Sequence, residues 1–212
     1  NISMKSLLIQ ANGNNIRLGK YFKQPKYELY YNNERIINTI INNAFKCVDK
    51  VFVAVRKDFE IKFDTSKVSI ILCEQTTSRL DTLKQCIPYL KGFESTIIHD
   101  CDTIIESYVL NKLENNSLAI TNYKSDGLKY GFVELDQNFK YVKGNEKEME
   151  TGHITIGAYS VNNKSFCEYL ENANEESLLV YYNQIKNVNV IYSKNHTNLG
   201  DIKSYIDNLW LL

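Results

Sequence analysis

Proline is scarce in this 212-residue chain, where only Pro25 and Pro88 occur. No proline-rich linker, internal repeat or low-complexity tract interrupts it, so one folding unit is expected at this length. The five cysteines (Cys47, Cys73, Cys86, Cys101, Cys167) are odd in number and lack CxxC or CxxH spacing. That excludes a small disulfide scaffold and reads as reduced thiols in a cytoplasmic protein. The three histidines (His99, His153, His196) are too scattered to mark a zinc site. Neither sign of charge dominates: 25 Lys+Arg balance 25 Asp+Glu, which argues against a protein that grips nucleic acid by its backbone. No apolar run approaches the roughly 20 residues needed to cross a bilayer, and nothing ahead of Met4 reads as a signal peptide. Asn1, Ile2 and Ser3 read as a cloning remnant and stand outside the expected fold, residues 4–212. At 43% hydrophobic and 24% charged, the composition is that of a globular protein and excludes a disordered or collagen-like chain.

What is present alternates in character. Lys5 to Gln10 is a short apolar run closed by the turn-rich Ala11-Asn12-Gly13-Asn14-Asn15. Glu34 to Phe45 carries isoleucines near a 3.6 period and predicts a helix. Val51 to Val55 and Val68 to Leu72 are β-branched and apolar, as strands buried on both faces should be. Ser78 to Tyr89 reads as a helix with Ser78 and Asp81 in capping positions, and Ser95 to Asp100 as a strand ending in polar residues. A helix near Ile105 to Leu113 and a strand at Leu118 to Thr121 complete a β-α-β-β-α-β-α-β series, which predicts an α/β sheet that is mainly parallel. Beyond it, Gly131 to Leu135 and Phe139 to Val142 flank Asp136-Gln137-Asn138 and predict a hairpin. Ile154 to Val161 predicts a strand, followed by helices near Lys164 to Asn172 and Glu175 to Gln184. A strand at Val188 to Tyr192 and a helix at Ile202 to Trp210, capped by Asp201, close the chain.

Ligands of open α/β sheets sit beyond the carboxyl ends of the strands, and two such ends carry distinctive residues. After the first strand, Gln10-Ala11-Asn12-Gly13-Asn14-Asn15 supplies small and amide residues whose backbone N–H groups can turn toward an anion. Arg17, Lys20 and Lys26 are cations suited to a polyphosphate; the same Asn and Gly residues also make ordinary turns. At the other end, His99-Asp100-Cys101-Asp102 places two carboxylates two residues apart, an oxygen-rich corner suited to Mg²⁺. One of the two aspartates could instead cap the following helix. His99 reads as a hydrogen-bonded structural histidine and Cys101 as a buried small residue, since adjacent carboxylates raise a thiol's pKa.

The run Leu8 to Gly19 followed by Pro25-Lys26 resembles the signature loop of nucleoside triphosphate transferases, roughly A-A-G-x-G-T-R-L and then P-K. Gly13, Arg17, Pro25 and Lys26 match; Asn12 and Asn15 replace the usual alanine and second glycine. Further matches follow in order along most of the chain. Asp102 falls at the family's Mg²⁺-binding aspartate, Glu146-Lys147 at its acceptor-binding E-K pair, and Thr155-Ile156-Gly157-Ala158-Tyr159 at its N-x-G-I-Y strand. His196 to Asp201 resembles the closing W-x-D-x-G-T element, with Asn198 in place of the second metal-binding aspartate; Asp100 or Asp201 could compensate. Ser78-Arg79-Leu80-Asp81-Thr82-Leu83 and Ile98-His99-Asp100 resemble the R-x-D-S-V and V-H-D elements of isoprenoid-pathway cytidylyltransferases, although the first also reads as a simple capped helix.

The resemblance implies a Rossmann-like (GT-A-type) mixed sheet flanked by helices, with a nucleotide-binding half over 4–120 and an acceptor-binding half over 121–212 that carries the hairpin. It implies nucleotidyl transfer from an NTP, with CTP favoured, to a phosphorylated acceptor such as a sugar phosphate or phosphocholine, for surface polysaccharide precursors. Arg17 and Lys26 would be catalytic; Gln10, Ala11, Asn12, Gly13, Asn14, Asn15, Ser78, Arg79 and Asp100 would bind the nucleotide. Glu146, Lys147, Thr155 and Gly157 would bind the acceptor, and Asp102 with Asn198 would hold Mg²⁺. Two rivals remain at this point. Asp100-Cys101-Asp102 also has the D-x-D form of metal-dependent nucleotide-sugar glycosyltransferases, and the departures at Asn15, Thr155 and Asn198 would suit a non-catalytic nucleotide-binding domain.

Overall fold

The structure, a computed structural model, describes residues 4–13, 25–75, 78–123, 130–146, 152–175, 177–200 and 202–210, with only the backbone of Ile202 and Trp210. The first strand, β1 (Lys5–Ala11), is apolar on both sides because both sides are covered: Leu7 and Ile9 enter one hydrophobic cluster and Leu8 the other. A single 3-10 turn (Lys26–Glu28) leads into a minimal hairpin, β2 (Tyr30–Tyr31) and β3 (Glu34–Arg35), then α1 (Ile36–Phe45). Next come β4 (Lys50–Arg56), β5 (Ser69–Cys73), α2 (Arg79–Leu90), β6 (Ser95–Asp100), β7 (Thr103–Ile105) and α3 (Ser107–Lys112). The second half holds β8 (Ser117–Asn122), β9 (Phe132–Leu135), β10 (Tyr141–Asn145), β11 (His153–Asn162), α4 (Asn163–Asn172) and α5 (Leu178–Asn183). It ends with β12 (Asn189–Tyr192), β13 (His196–Asn198) and α6 (Ile202–Trp210).

Strands β5, β4, β1 and β6 lie side by side and parallel. The chain runs outward from β1 to β5 and returns to the other side of β1 as β6, so the carboxyl ends of β1 and β6 form the topological switch point. β11 is antiparallel to both β6 and β8, and β12 closes the far side parallel to β8. β8 follows one edge of β11. On the other edge β9 pairs with His153 and Ile154, and β6 pairs with Ala158 to Asn162. The intervening Thr155, Ile156 and Gly157 face the opening between β6 and β9, where the β11–β8 register also shifts. A sheet parted beside its own switch point is a ready place for a ligand.

Helices cover both faces. Ile36, Ile37, Ile40, Ile41 and Ala44 of α1, with Val109 and Leu110 of α3, pack on Ile9, Val53 and Ile97. Leu83 and Leu90 of α2, Phe166 and Leu170 of α4, and Leu179 and Tyr182 of α5 pack on Leu8, Ile98 and Leu118. Among the described residues no helix is long and apolar enough to cross a membrane.

Several boundaries differ from the sequence expectation. The first helix begins at Ile36 rather than Glu34 because Asn32 and Asn33 adopt φ of 52° and 62°, the left-handed pair that closes a two-residue hairpin between β2 and β3. The helix expected from Ile105 begins at Ser107, since Thr103–Ile105 is claimed by β13. The helix expected from Glu175 begins at Leu178 behind Ser177, whose hydroxyl accepts from the Leu179 N–H at 3.2 Å. In the β9–β10 pair, Phe139 (φ 60°) belongs to the turn, where Asp136 Oδ1 accepts from the N–H groups of Asn138 and Lys140, and β10 starts at Tyr141.

Candidate active site

Gln10 and Asp100 face each other as partners at the carboxyl ends of β1 and β6. The guanidinium of Arg79, the first residue of α2, ties them together: Nε donates to Gln10 Oε1 at 2.7 Å and Nη2 to Asp100 Oδ1 at 2.9 Å. Ser78 decides where that helix starts, its hydroxyl accepting from the Asp81 N–H at 3.0 Å. The Arg79 guanidinium also lies 5.1 Å from the Tyr159 ring centre, a cation–π contact. Burial opposes the Arg79 charge, but Asp100, Tyr159 and Glu146 outweigh it and hold the group above its ordinary pKa. Asn12, buried just past β1, donates to Thr82 Oγ1 at 2.5 Å and ties the strand end to α2.

The second centre lies two residues beyond Asp100. Asp102 is 8% exposed, and its Oδ2 receives the Lys26 ammonium at 2.5 Å. Lys26 enters from the 3-10 turn that Pro25 precedes. The short β7–β13 pair brings the closing segment here: Asn198 is in register with Thr103, and the Leu199 N–H donates to the Asp102 carbonyl at 2.8 Å. Gly200 passes so close that a Cβ on it would stand 2.5 Å from Asp102 Oδ2 and 3.2 Å from Asn198 Oδ1. Its N–H donates to Asn198 Oδ1 at 3.0 Å. A carboxylate oxygen and an amide oxygen thus flank one small space that a side chain would fill, and this donor set fits Mg²⁺, which completes its shell with water and phosphate oxygens. His99 and Cys101, beside the two aspartates, carry no competing chemistry. His99 is buried, which lowers its pKa, and its Nδ1 bonds the Asp100 carbonyl at 2.5 Å. Burial pushes the Cys101 thiol up to about 12, so it is no nucleophile.

On the third side, Gly157 adopts φ +96°, and a Cβ there would stand 2.8 Å from Asp100 Oδ2. Only glycine permits both that backbone and that approach. Thr155 Oγ1 accepts from the Tyr159 hydroxyl at 3.1 Å, and the Thr155 N–H donates to the Gly131 carbonyl at 2.8 Å. Burial pushes the Tyr159 phenol up to about 12, so it stays a donor. Glu146 follows β10, its Oε1 accepting from the Ser177 hydroxyl at 2.8 Å. Glu146, Thr155, Gly157 and Tyr159 line, with Arg79 and the two aspartates, a cleft of about 200 Å³.

The fold therefore brings Arg79, Asp100, Asp102, Glu146, Thr155, Gly157 and Asn198 to one cleft, with Gln10 and Lys26 bonded to members of its wall. Ser78 and Asn12 act through α2. Ala11 is buried in the sheet, and Gly13 is exposed with open space where a side chain would go. Asn14, Asn15, Arg17, Lys20, Lys147 and Asp201 lie outside the described residues. Sequence reasoning did not single out Tyr130, Gly131, Tyr159 or His196, which also line the cleft. Tyr159 and His196 stand inside the matched strand and closing elements, a signal that was available; Tyr130 and Gly131 carry none.

No family model matches the sequence, and no curated protein matches it. Solved structures do match across nearly the whole chain. A CTP:phosphocholine cytidylyltransferase from Streptococcus pneumoniae superposes with a TM-score of 0.81 at 14% identity, over 98% of this chain and 99% of that one. The inositol-1-phosphate CTP transferase from T. maritima gives 0.75 at 15%, over 95% and 91%. A UTP-bound UGPase from Acinetobacter baumannii gives 0.77 at 13%, over 98% and 93%. The chain has the nucleotidyltransferase fold. It is the fold that the sequence motifs resemble, and in this nucleotidyltransferase fold the cleft described above occupies the switch point.

Proposed function

We propose that the chain transfers a nucleotidyl group from an NTP to a phosphorylated acceptor and releases pyrophosphate. The carrying observation is the convergence of two cation–carboxylate pairs, Arg79–Asp100 and Lys26–Asp102, at the opening between β6 and β9. Residues of both halves, 4–120 and 121–212, line that one cleft, as joining two substrates requires. An acceptor phosphate oxygen attacks the α-phosphorus in line; the new P–O bond forms as the bond to the β-phosphate oxygen breaks. No covalent enzyme intermediate is needed, so the protein's work is to align two anions and neutralise charge. Lys26, delivered to Asp102, supplies that charge at the leaving group together with Arg17. Asp102 and Asn198 would hold Mg²⁺, which when bound withdraws charge from the α-phosphate. Glu146 and Lys147 would take the acceptor, with Thr155 and Gly157 forming its wall.

CTP is the favoured donor. Arg79 and Asp100, which carry the resemblance to cytidylyltransferases, meet at 2.9 Å at the head of the cleft. The product would be an activated precursor for surface polysaccharide made in the cytoplasm. A glycosyltransferase reading fits less well, because Asp100 and Asp102 are engaged by different cations rather than presented together. A thermal-shift panel of CTP, UTP, dTTP, GTP and ATP, with and without Mg²⁺, tests this. A ligand at 100 times its Kd stabilises the fold by about 2.7 kcal/mol, enough to rank the bases. A Mg²⁺-dependent shift, largest with CTP, is expected; a shift with NDP-sugars alone would overturn the reading.

A further inference from the structure

The acceptor side rests on a helix that the proposed reaction does not itself use. Leu179 of α5 sits between two glycines: a Cβ on Gly131 would lie 3.0 Å from its Cδ1, and one on Gly144 2.7 Å from its Cδ2. Both ends of the helix are pinned to the same segment. At its end, the Asn183 carboxamide clasps Gly144, Oδ1 accepting from the Gly144 N–H at 2.8 Å and Nδ2 donating to its carbonyl at 2.8 Å. The Tyr141 hydroxyl donates to the same Oδ1 at 2.6 Å. At its start, the Ser177 hydroxyl caps the helix by accepting from Leu179 N–H and donates its own proton to Glu146 Oε1 at 2.8 Å. Gly144 and Glu146 are two residues apart, so α5 holds the strand and then the carboxylate that strand delivers.

We propose that α5 sets the acceptor site, with Ser177 the positioning residue for Glu146. The inference rests on the nucleotidyl-transfer reading. The exposed Glu146 carboxylate has one oxygen fixed by Ser177, which leaves the other to meet a hydroxyl donor or a cationic head group of the acceptor. A carboxylate free to rotate would present the same charge without the direction.

The two jobs of Ser177 separate by substitution. Ser177→Asp keeps an N-cap of equal quality but offers no proton to Glu146 and adds a like charge. Ser177→Thr keeps both functions, and Ser177→Ala loses both. Initial rates would be measured with CTP and Mg²⁺ against phosphocholine, glucose 1-phosphate or inositol 1-phosphate, using whichever acceptor the wild type turns over. Ser177→Ala and Ser177→Asp should each raise the acceptor KM by about three- to tenfold, what one net hydrogen bond is worth, with the CTP KM unchanged. Ser177→Thr should restore the wild-type value, and Ser177→Asp should keep the wild-type Tm. An active wild type with an unaltered acceptor KM in Ser177→Asp would overturn the positioning role alone. A wild type that turns over none of the pairs would overturn the transfer reading and this role with it.

Discussion

At the residue scale, Lys26 and Asp102 depend on each other before any substrate arrives. Both are largely removed from solvent, at 19% and 11% side-chain exposure, and each neutralises the other. Polyphosphate would compete for Lys26 and release Asp102 for a cation. Removing either partner takes a charge-assisted contact from a largely buried group. Lys26→Ala, and separately Arg17→Ala, should cut turnover about a hundredfold or more, the scale of losing one preorganised charge-stabilising donor. Steady-state rates of pyrophosphate release measure this, and near-wild-type turnover in both would refute their roles. His99 makes a different prediction, about pH. Burial lowers its pKa, so the folded chain keeps it neutral while the unfolded chain takes up a proton below the ordinary value of 6.5. Its contribution to stability is full above that value and is lost as pH falls. Denaturant midpoints between pH 7 and 5 should therefore fall less steeply in His99→Gln than in the wild type.

At the element scale, the start of α2 and the register shift of β11 between Thr155 and Tyr159 place the cleft's head. Ser78→Ala removes the cap that sets Arg79, with an expected cost of about 1 kcal/mol and a Tm lower by about 2–4 °C, while Ser78→Asp should keep both. Gly157→Ala faces a positive φ and the Asp100 carboxylate together, so a loss of about 1–3 kcal/mol is expected, read as a larger drop in Tm. Elements differed in how far they could be read beforehand. Val51 to Val55 was legible because a strand buried on both faces must be continuously apolar. The β7–β13 pair was not: each strand is three residues long, too short for any period, and each exists only because the other arrives. Yet that pair is what carries Asn198 to Asp102. Ser177 and Glu146 are likewise 31 residues apart and joined by a contact that no local pattern announces.

At the scale of the whole molecule, the site follows from topology. Reversal of strand order at β1 opens the switch point, and the antiparallel β11, shared between β6 and β9, parts the sheet beside it. Residues from Gln10 to Asn198 thereby reach one place, which explains why motifs scattered over the chain could be matched in order yet not assembled from sequence. Their spacing along the chain carries no distance; the sheet supplies it. Nucleotidyl transfer is tested by pyrophosphate release from each NTP, with Mg²⁺, across a panel of sugar and alcohol phosphates. Acceptor-dependent release with a cytidylylated product is expected, cut to about one part in a hundred by Lys26→Ala. Release that is absent with every NTP and acceptor, or present and indifferent to Lys26, would contradict it.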